Sequence, residues 1–375
     1  MRICIYTETA LPLVGGQEIV IDSLAREFLR LNHEVVVLAA KPSSRIRLRD
    51  DELPYTVVRH PRFISTHRLL GWYGWYVDRL QRRFPFDILH CHSVQPTGYV
   101  AACCRNQSGL RIVITSHSGE LSPESSLLAK PGASERCRRS LRRADAVVAI
   151  SDFVEQRLRA LDPELKTIVR IPNGVDVRRY ESLVKRAGCI SEQINPLEYF
   201  LFLGRIVERK GVDLLLLALE KSMQRINAKV VIAGDGPAME SMQHLARRLR
   251  IDHRVHFVGH VDGDDKTWLL QNAISTVMPS RMSEGFPLVV LESFAAGRPM
   301  IASRIPGLRE LVEHGRNGLL INPDSPDSLS NALVDLALSP AKANALGANA
   351  RNFAAQHDWT RIGRRYIELF ERLIM

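Results

Sequence analysis

Short, unbroken apolar runs alternate along the chain with longer stretches in which apolar residues return every three or four positions. Strands buried on both faces give the first pattern and amphipathic helices the second. The alternation therefore reads as βα units on a parallel sheet. In the first half it predicts strands near residues 2–7, 34–39, 87–91, 111–116, 146–150 and 167–171. Val35-Val36-Val37-Leu38 and Ala146-Val147-Val148-Ala149-Ile150 are the clearest of them. Between the first two strands, Ile19, Leu24, Phe28 and Leu31 fall on one helical face.

Pro172, Asn173 and Gly174, then Asn195 and Pro196, bound a segment that interrupts the pattern, and 173–197 is expected as a linker. The alternation restarts with strands near 199–204, 229–233, 255–259, 275–278, 299–302 and 318–321. A long helical tail covers 340–374. The expected fold class is α/β: two Rossmann-like, doubly wound domains, 1–172 and 198–358, facing each other across a cleft, with a helix over 359–375 packing back on the first. Ligands of such sheets lie beyond the carboxyl ends of the strands, where helix N-termini point.

The length of 375 residues, with 45% hydrophobic and 25% charged residues, fits a soluble two-domain enzyme. No apolar run approaches the ~20 residues of a membrane span. Met1-Arg2-Ile3-Cys4-Ile5-Tyr6 leads straight into a strand rather than a signal peptide. The six cysteines (4, 91, 103, 104, 137 and 189) lack C-x-x-C spacing and read as buried, reduced thiols of a cytoplasmic protein. The net charge of +10 concentrates in residues 41–86, which hold ten Lys and Arg against four acids. It recurs at Arg136, Arg138, Arg139, Arg142 and Arg143. Next to the first cluster lies the densest aromatic patch, Leu69-Leu70-Gly71-Trp72-Tyr73-Gly74-Trp75-Tyr76. Bases beside aromatics fit peripheral contact with an anionic membrane, a sugar-binding wall or a plain solvated face. No nucleic-acid motif accompanies them.

Charge-bearing motifs cluster at strand ends in the second half. Gly204-Arg205 ends a strand, and Lys210-Gly211 follows five residues later. A forked guanidinium and a compact ammonium at this spacing suit a diphosphate; two surface bases flanking a turn are the alternative. Glu284-Gly285-Phe286-Pro287-Leu288 leads into a predicted helix that carries Glu292, with Pro287 suited to its first turn. Two carboxylates so spaced can hold two sets of hydroxyls on one ligand, whereas an ordinary helix-surface glutamate is the plainer reading of Glu292. Asp262-Gly263-Asp264 reads as a helix N-cap rather than a metal pair. In His90-Cys91-His92 the rings are expected on alternate faces, and no acid or cysteine stands at useful spacing, which disfavours a metal site.

Gly15-Gly16 after the first strand, Asn173-Gly174-Val175-Asp176, Gly204-Arg205 with Lys210-Gly211, Gly234-Asp235-Gly236-Pro237, Glu284 to Glu292, and Gly297-Arg298-Pro299 occur in this order over nearly the whole chain. The set resembles the family-4 retaining glycosyltransferases (glycosyltransferase group 1) of the GT-B fold. The resemblance implies that Arg205 and Lys210 grip a nucleotide sugar's diphosphate and stabilise it as it leaves. By the same resemblance Glu284 contacts the transferred sugar, Glu292 the ribose, the backbone at Leu288 the distal phosphate or sugar, and Val261, beside His260, the base. Gly234 belongs to the donor-binding set, Gly16 brings its N–H to the diphosphate, and His117 lies close to the donor sugar. His90 and His92 are expected on the acceptor side.

The implied enzyme is a hexosyltransferase with no cofactor and no essential metal. Its donor is UDP- or GDP-linked, and its acceptor a saccharide or lipid-linked hydroxyl. The implied setting is bacterial cell-envelope or exopolysaccharide synthesis, in the cytoplasm or at the inner face of the membrane. Two alternatives remain: a nucleotide-sugar epimerase or hydrolase, and a non-catalytic sugar-nucleotide-binding subunit. The intact set of Arg205, Lys210, Glu284 and Glu292 argues against the latter. A dinucleotide oxidoreductase fails because neither half opens with G-x-G-x-x-G after its first strand.

Overall fold

The computed structural model describes residues 1–13, 15–42, 47–62, 70, 72–104, 109–117, 121, 128–185 and 194–375. Leu69, Gly71, Cys189 and part of the expected linker lie outside this set. The chain forms two compact units, Met1–Asn173 with Trp359–Met375, and Gly174–Asp358.

In chain order, the first unit contains β1 (Arg2–Thr7), α1 (Gly16–Arg30), β2 (Glu34–Ala40), β3 (Thr56–His60), α2 (Gly74–Arg83), β4 (Ile88–Cys91), α3 (Tyr99–Cys103), β5 (Arg111–Ser116), α4 (Ala133–Arg143), β6 (Ala146–Ala149), α5 (Asp152–Leu161) and β7 (Ile168–Arg170). The strands pair in parallel in the order β3-β2-β1-β4-β5-β6-β7. The apolar runs account for every strand but β3. That strand closes one edge of the sheet, and Val57, Val58 and Arg59 are only half-buried, so it lacks the continuous apolar run of a central strand. Helix α1 buries Val20, Ile21, Leu24, Ala25 and Phe28. Ile19 and Leu31 are half-buried, so the true stripe is turned by about one residue from the expected one. Ser151 caps α5, its side chain accepting from the N–H of Val154.

The second unit contains β8 (Tyr199–Leu203), α6 (Val212–Ser222), β9 (Lys229–Ala233), α7 (Met239–Arg248), β10 (Val255–Gly259), α8 (Gly263–Asn272), β11 (Ser275–Met278), α9 (Leu288–Ala295), β12 (Met300–Ser303), α10 (Leu308–Leu311), β13 (Gly318–Ile321), α11 (Pro326–Leu338) and α12 (Pro340–Ala355). Its parallel order is β10-β9-β8-β11-β12-β13. Phe200, Ile232, Leu215, Leu219 and Leu333 are fully buried in its core, between the sheet and helices α6 and α11. In each sheet the order reverses beside the first strand, between β1 and β4 and between β8 and β11. Loops leaving neighbouring strands at such a point turn to opposite faces and leave a crevice at the carboxyl ends.

Two expectations change. The segment 174–197 is not a free linker where it is described. Arg179 donates to Thr267 at 2.9 Å, and Gln271 binds the carbonyl of Ser182 at 2.8 Å and the N–H of Val184 at 3.0 Å. One buried amide thus satisfies the backbone of an extended segment, and Tyr180 is buried with it. The helical tail is two helices. It breaks at Gln356–Asp358, and α13 (Trp359–Ile374) belongs to the first unit. There Phe370 and Tyr366 pack edge-on against Phe28, with centroids 5.7 and 6.3 Å away.

Candidate active site

The switch point of the second sheet explains which charges meet. The loop after β8 carries Arg205, Arg209 and Lys210, and the loop after β11 carries Ser280 and Glu284. Glu284 is buried and its Oε1 accepts from Lys210 Nζ at 2.8 Å, Ser280 Oγ at 2.9 Å and Arg209 Nη1 at 3.4 Å. Burial lowers the Lys210 pKa, Glu284 acts against this, and Arg209 and Arg205 lower it further. The ammonium is therefore held charged mainly by one carboxylate. Removing either member of such a pair strands the other at a cost of about 3–5 kcal/mol. Arg205 is exposed, and its guanidinium forms no hydrogen bond or salt bridge with a described residue. It is the site's uncommitted cation.

Backbone contacts fix this arrangement. The N–H of Arg281 donates to the carbonyl of Arg209 at 2.9 Å, and its guanidinium grips Asp213 with two bonds of 2.7 and 2.6 Å, tying the two loops together. Glu284 is clamped by the loop after β12: its N–H donates to Pro306 O at 3.2 Å, and its carbonyl lies against Gly307. Gly307 has φ +83°, and a Cβ there would come within 1.8 Å of Glu284 O. Only glycine fits both demands. Gly234, after β9, meets the same pair of demands, with φ +143° and a Cβ that would lie 1.9 Å from Gly204 O, just ahead of Arg205.

Helix α9 starts at Leu288. Pro287 is its N-cap rather than part of its first turn, and no side chain caps it, which leaves the first N–H groups open to an anion. Glu292, one turn in, is not an ordinary surface residue. Its side chain is 13% exposed and bonds Lys266 Nζ at 2.6 Å. Val261 is half-buried just before α8. Asp262 takes the N-cap position of α8, as expected, but makes no side-chain cap bond; Asp264 and Asp265 lie in the first turn, where the helix dipole favours acids.

In the first unit Gly16 begins α1, exposed, and an added Cβ would meet nothing within 4 Å. His117 directly follows β5, and its Nε2 lies 3.0 Å from Nδ1 of His92. His90 and His92 do not line a surface, as expected of acceptor-side residues; both are fully buried. Their rings share a face, 4.3 Å apart, because alternate strand positions point the same way. His90 Nε2 meets Thr115 Oγ1 at 2.8 Å, and its ring packs on Tyr366 at 5.0 Å, so it belongs to the core under α13. Burial lowers the pKa of His90 to about 3 and of His117 to about 4, and of His92 well below the usual range. All three are neutral near pH 7.

Among the described residues no group of three or more His, Cys, Asp or Glu is disposed to hold a metal ion. A cavity of about 460 Å³ opens beside the β8 loop, lined by Ile206, Asp213, Pro237 and Met242 among others; none of Arg205, Lys210, Glu284 or Glu292 lines it. The sequence reading missed Ser280, Arg209, Gly307 and Lys266. Gly307 follows a proline at a strand end, which is a weak local signal. The other three become partners only through the tertiary fold.

Residues 14–179 match the family described as Glycosyltransferase Family 4, and residues 191–353 match Glycosyl transferases group 1. An uncharacterized glycosyltransferase of Methanocaldococcus jannaschii is 28% identical over 88% of this chain and 87% of its own. A GDP-mannose-dependent alpha-(1-6)-phosphatidylinositol monomannoside mannosyltransferase of Mycolicibacterium smegmatis is 26% identical over 96% of this chain and 95% of its own. In fold, the crystal structure of Anabaena HepE in complex with UDP and glucose is similar, with a TM-score of 0.81, 21% identity, and 99% of this chain and 100% of that one covered. Two Rossmann-like units with these strand orders are the GT-B class of fold. Between them the two family models take in most of the sequence, one on each unit, and the chain belongs to the family-4, group-1 glycosyltransferases.

Proposed function

We propose that the protein is a retaining, metal-independent transferase that moves a hexose-type sugar from a UDP- or GDP-linked donor to the hydroxyl of a saccharide or lipid-linked acceptor. The observation that carries this reading is Glu284, clamped by its backbone and bonded to Lys210, beside the open N-terminus of α9 and the uncommitted Arg205. A diphosphate would draw on Arg205, Lys210 and the α9 N–H groups. Glu284 would face sugar hydroxyls, and Glu292 with Lys266 the ribose side. Leu288 backbone, Gly234 and Val261 complete the proposed donor set, and Gly16 and His117 take the roles the resemblance gives them. The C1–O bond breaks with its electron pair leaving on the diphosphate oxygen. The acceptor oxygen attacks C1 on the same face, and its proton passes to the departing phosphate. The cations and helix terminus already supply positive charge where the leaving group develops negative charge.

The relative from Mycolicibacterium is named for GDP-mannose, and Anabaena HepE was crystallised with UDP. The test is therefore a thermal-shift and hydrolysis screen with UDP-, GDP- and ADP-sugars, with and without EDTA, on the wild type and Arg205→Ala. Saturation at about 100 times Kd stabilises by ~2.7 kcal/mol, a shift of several degrees. One base should stabilise the wild type and not Arg205→Ala, regardless of EDTA. A response to no nucleotide sugar, or only with added metal, would sink the proposal.

We also propose that helix α2 rests against an anionic membrane at its inner face, in cell-envelope or exopolysaccharide synthesis. No described helix is long and apolar enough to cross a membrane. Trp72 and Trp75 are 76% and 52% exposed, Arg79 sits 5.2 Å over the Trp75 ring, and Arg82 and Arg83 are exposed one turn on. Aromatic and cationic residues on one stripe suit a headgroup layer. Wild type should float with anionic vesicles, and Trp72→Ser/Trp75→Ser should not. Equal flotation with zwitterionic vesicles would refute the contact.

A further inference from the structure

We propose that His92 is a positioning residue for His117: it donates its Nδ1–H to the Nε2 lone pair of His117, so that His117 presents its own proton on Nδ1. The inference rests on the reading of His117 as a residue near the donor sugar. The two nitrogens are 3.0 Å apart and the ring planes differ by 20°, the geometry of an in-plane hydrogen bond. The bond holds one proton, and the rings must agree on who gives it.

His92 is built to be the fixed partner. Its backbone N–H donates to Tyr6 O at 2.9 Å, and its carbonyl accepts from Gln17 at 2.6 Å. Its ring lies against His90, which is tethered through Thr115 to Tyr366 Oη of α13, 3.2 Å from the Thr115 hydroxyl. The His92 Nε2 is buried and has no hydrogen-bond partner among the described residues. If His117 gave the proton, His92 would carry its own on Nε2, a buried N–H with no acceptor among the described residues. Buried N–H groups without partners are the rarest kind of orphan, so the proton belongs on Nδ1 and a bare lone pair faces the core. Burial keeps both rings neutral, so protonation does not relieve the choice. His117 then offers an N–H donor, suited to a sugar hydroxyl or a leaving oxygen.

The test is histidine ¹⁵N NMR of the full chain without nucleotide sugar, with His117→Gln to assign the signal. The wild type should show His117 as the Nδ1–H tautomer. His92→Phe should shift it toward Nε2–H, and His92→Asn, whose amide N–H can stand near the lost Nδ1–H, should keep it. Turnover should fall roughly 10- to 100-fold in His92→Phe, in kcat rather than KM, by analogy with the loss of the partner that orients a metal-bound histidine. His92→Asn should recover most of it. A wild-type His117 in the Nε2–H form overturns the proposal even if His92→Phe fails to fold. An unchanged kcat in a folded His92→Phe overturns the positioning role. A wild-type rate in His117→Gln would overturn the place of His117 at the sugar, and the spectra, taken without ligand, would judge the hydrogen bond separately.

Discussion

Replacing Lys210 by alanine is expected to lower kcat/KM for sugar transfer by roughly 10²- to 10³-fold, the loss of about 2.7–4 kcal/mol found when a preorganised donor to developing negative charge is removed. Lys210 is desolvated and faces the Glu284 carboxylate at 2.8 Å, so its charge is already in place when the diphosphate begins to leave. The pH profile adds a signed expectation. Burial and the neighbouring arginines push the Lys210 pKa down, and Glu284 holds it up. Glu284→Gln removes the upward pull. The ammonium is then lost at a lower pH, and the alkaline limb of kcat/KM should move to lower pH than in the wild type. Activity of Lys210→Ala within about threefold of wild type, or an alkaline limb that does not move in Glu284→Gln, would refute the assigned role.

Gly307→Ala is expected to cost both turnover and stability, although Gly307 is not among the site residues expected from the sequence. Its φ of +83° costs an L-residue roughly 1–2 kcal/mol. The added Cβ would also stand 1.8 Å from the Glu284 carbonyl, and backbone has no flexible end to swing away. Glu284 must therefore shift. Displacement of a reacting group by about 1 Å costs on the order of 10²-fold in rate. At 2–4 °C per kcal/mol for a unit of this size, the backbone strain alone should lower the melting point of the second unit by roughly 2–8 °C. Gly315→Ala is the control: its φ is +78°, and a Cβ there meets nothing within 4 Å. If both variants lose the same activity, strain alone is responsible and the clamp on Glu284 is not.

These cases show what sequence can carry. A central parallel strand is buried on both faces, so Val35 to Leu38 is recognisable without any partner. β3 is half-covered at an edge and is not. Lys210 and Glu284 are legible singly, as charges at strand ends next to glycine. Their meeting is not, because it depends on β8 and β11 being neighbours at the point where the strand order reverses. Gly307 carries no chemistry of its own, and no local pattern names the backbone it touches. The histidines divide in the same way. That His90 and His92 share a face follows from strand geometry alone, and the expectation of alternate faces missed it. That His90 ends in the core follows from α13, whose Tyr366 lies 251 residues from Thr115 in sequence.

The return of α13 to the first unit also bears on synthesis. A chain made from its N-terminus usually completes its first domain first. Here residues 174–358 form one contiguous unit, while the core around Phe28 and His90 is closed by residues translated after all of them. The unit begun first is thus finished last. In a chain ending at residue 358 and released from the ribosome, the second unit should already resist protease, while the first still exposes the apolar seat of Tyr366 and Phe370 to chaperones.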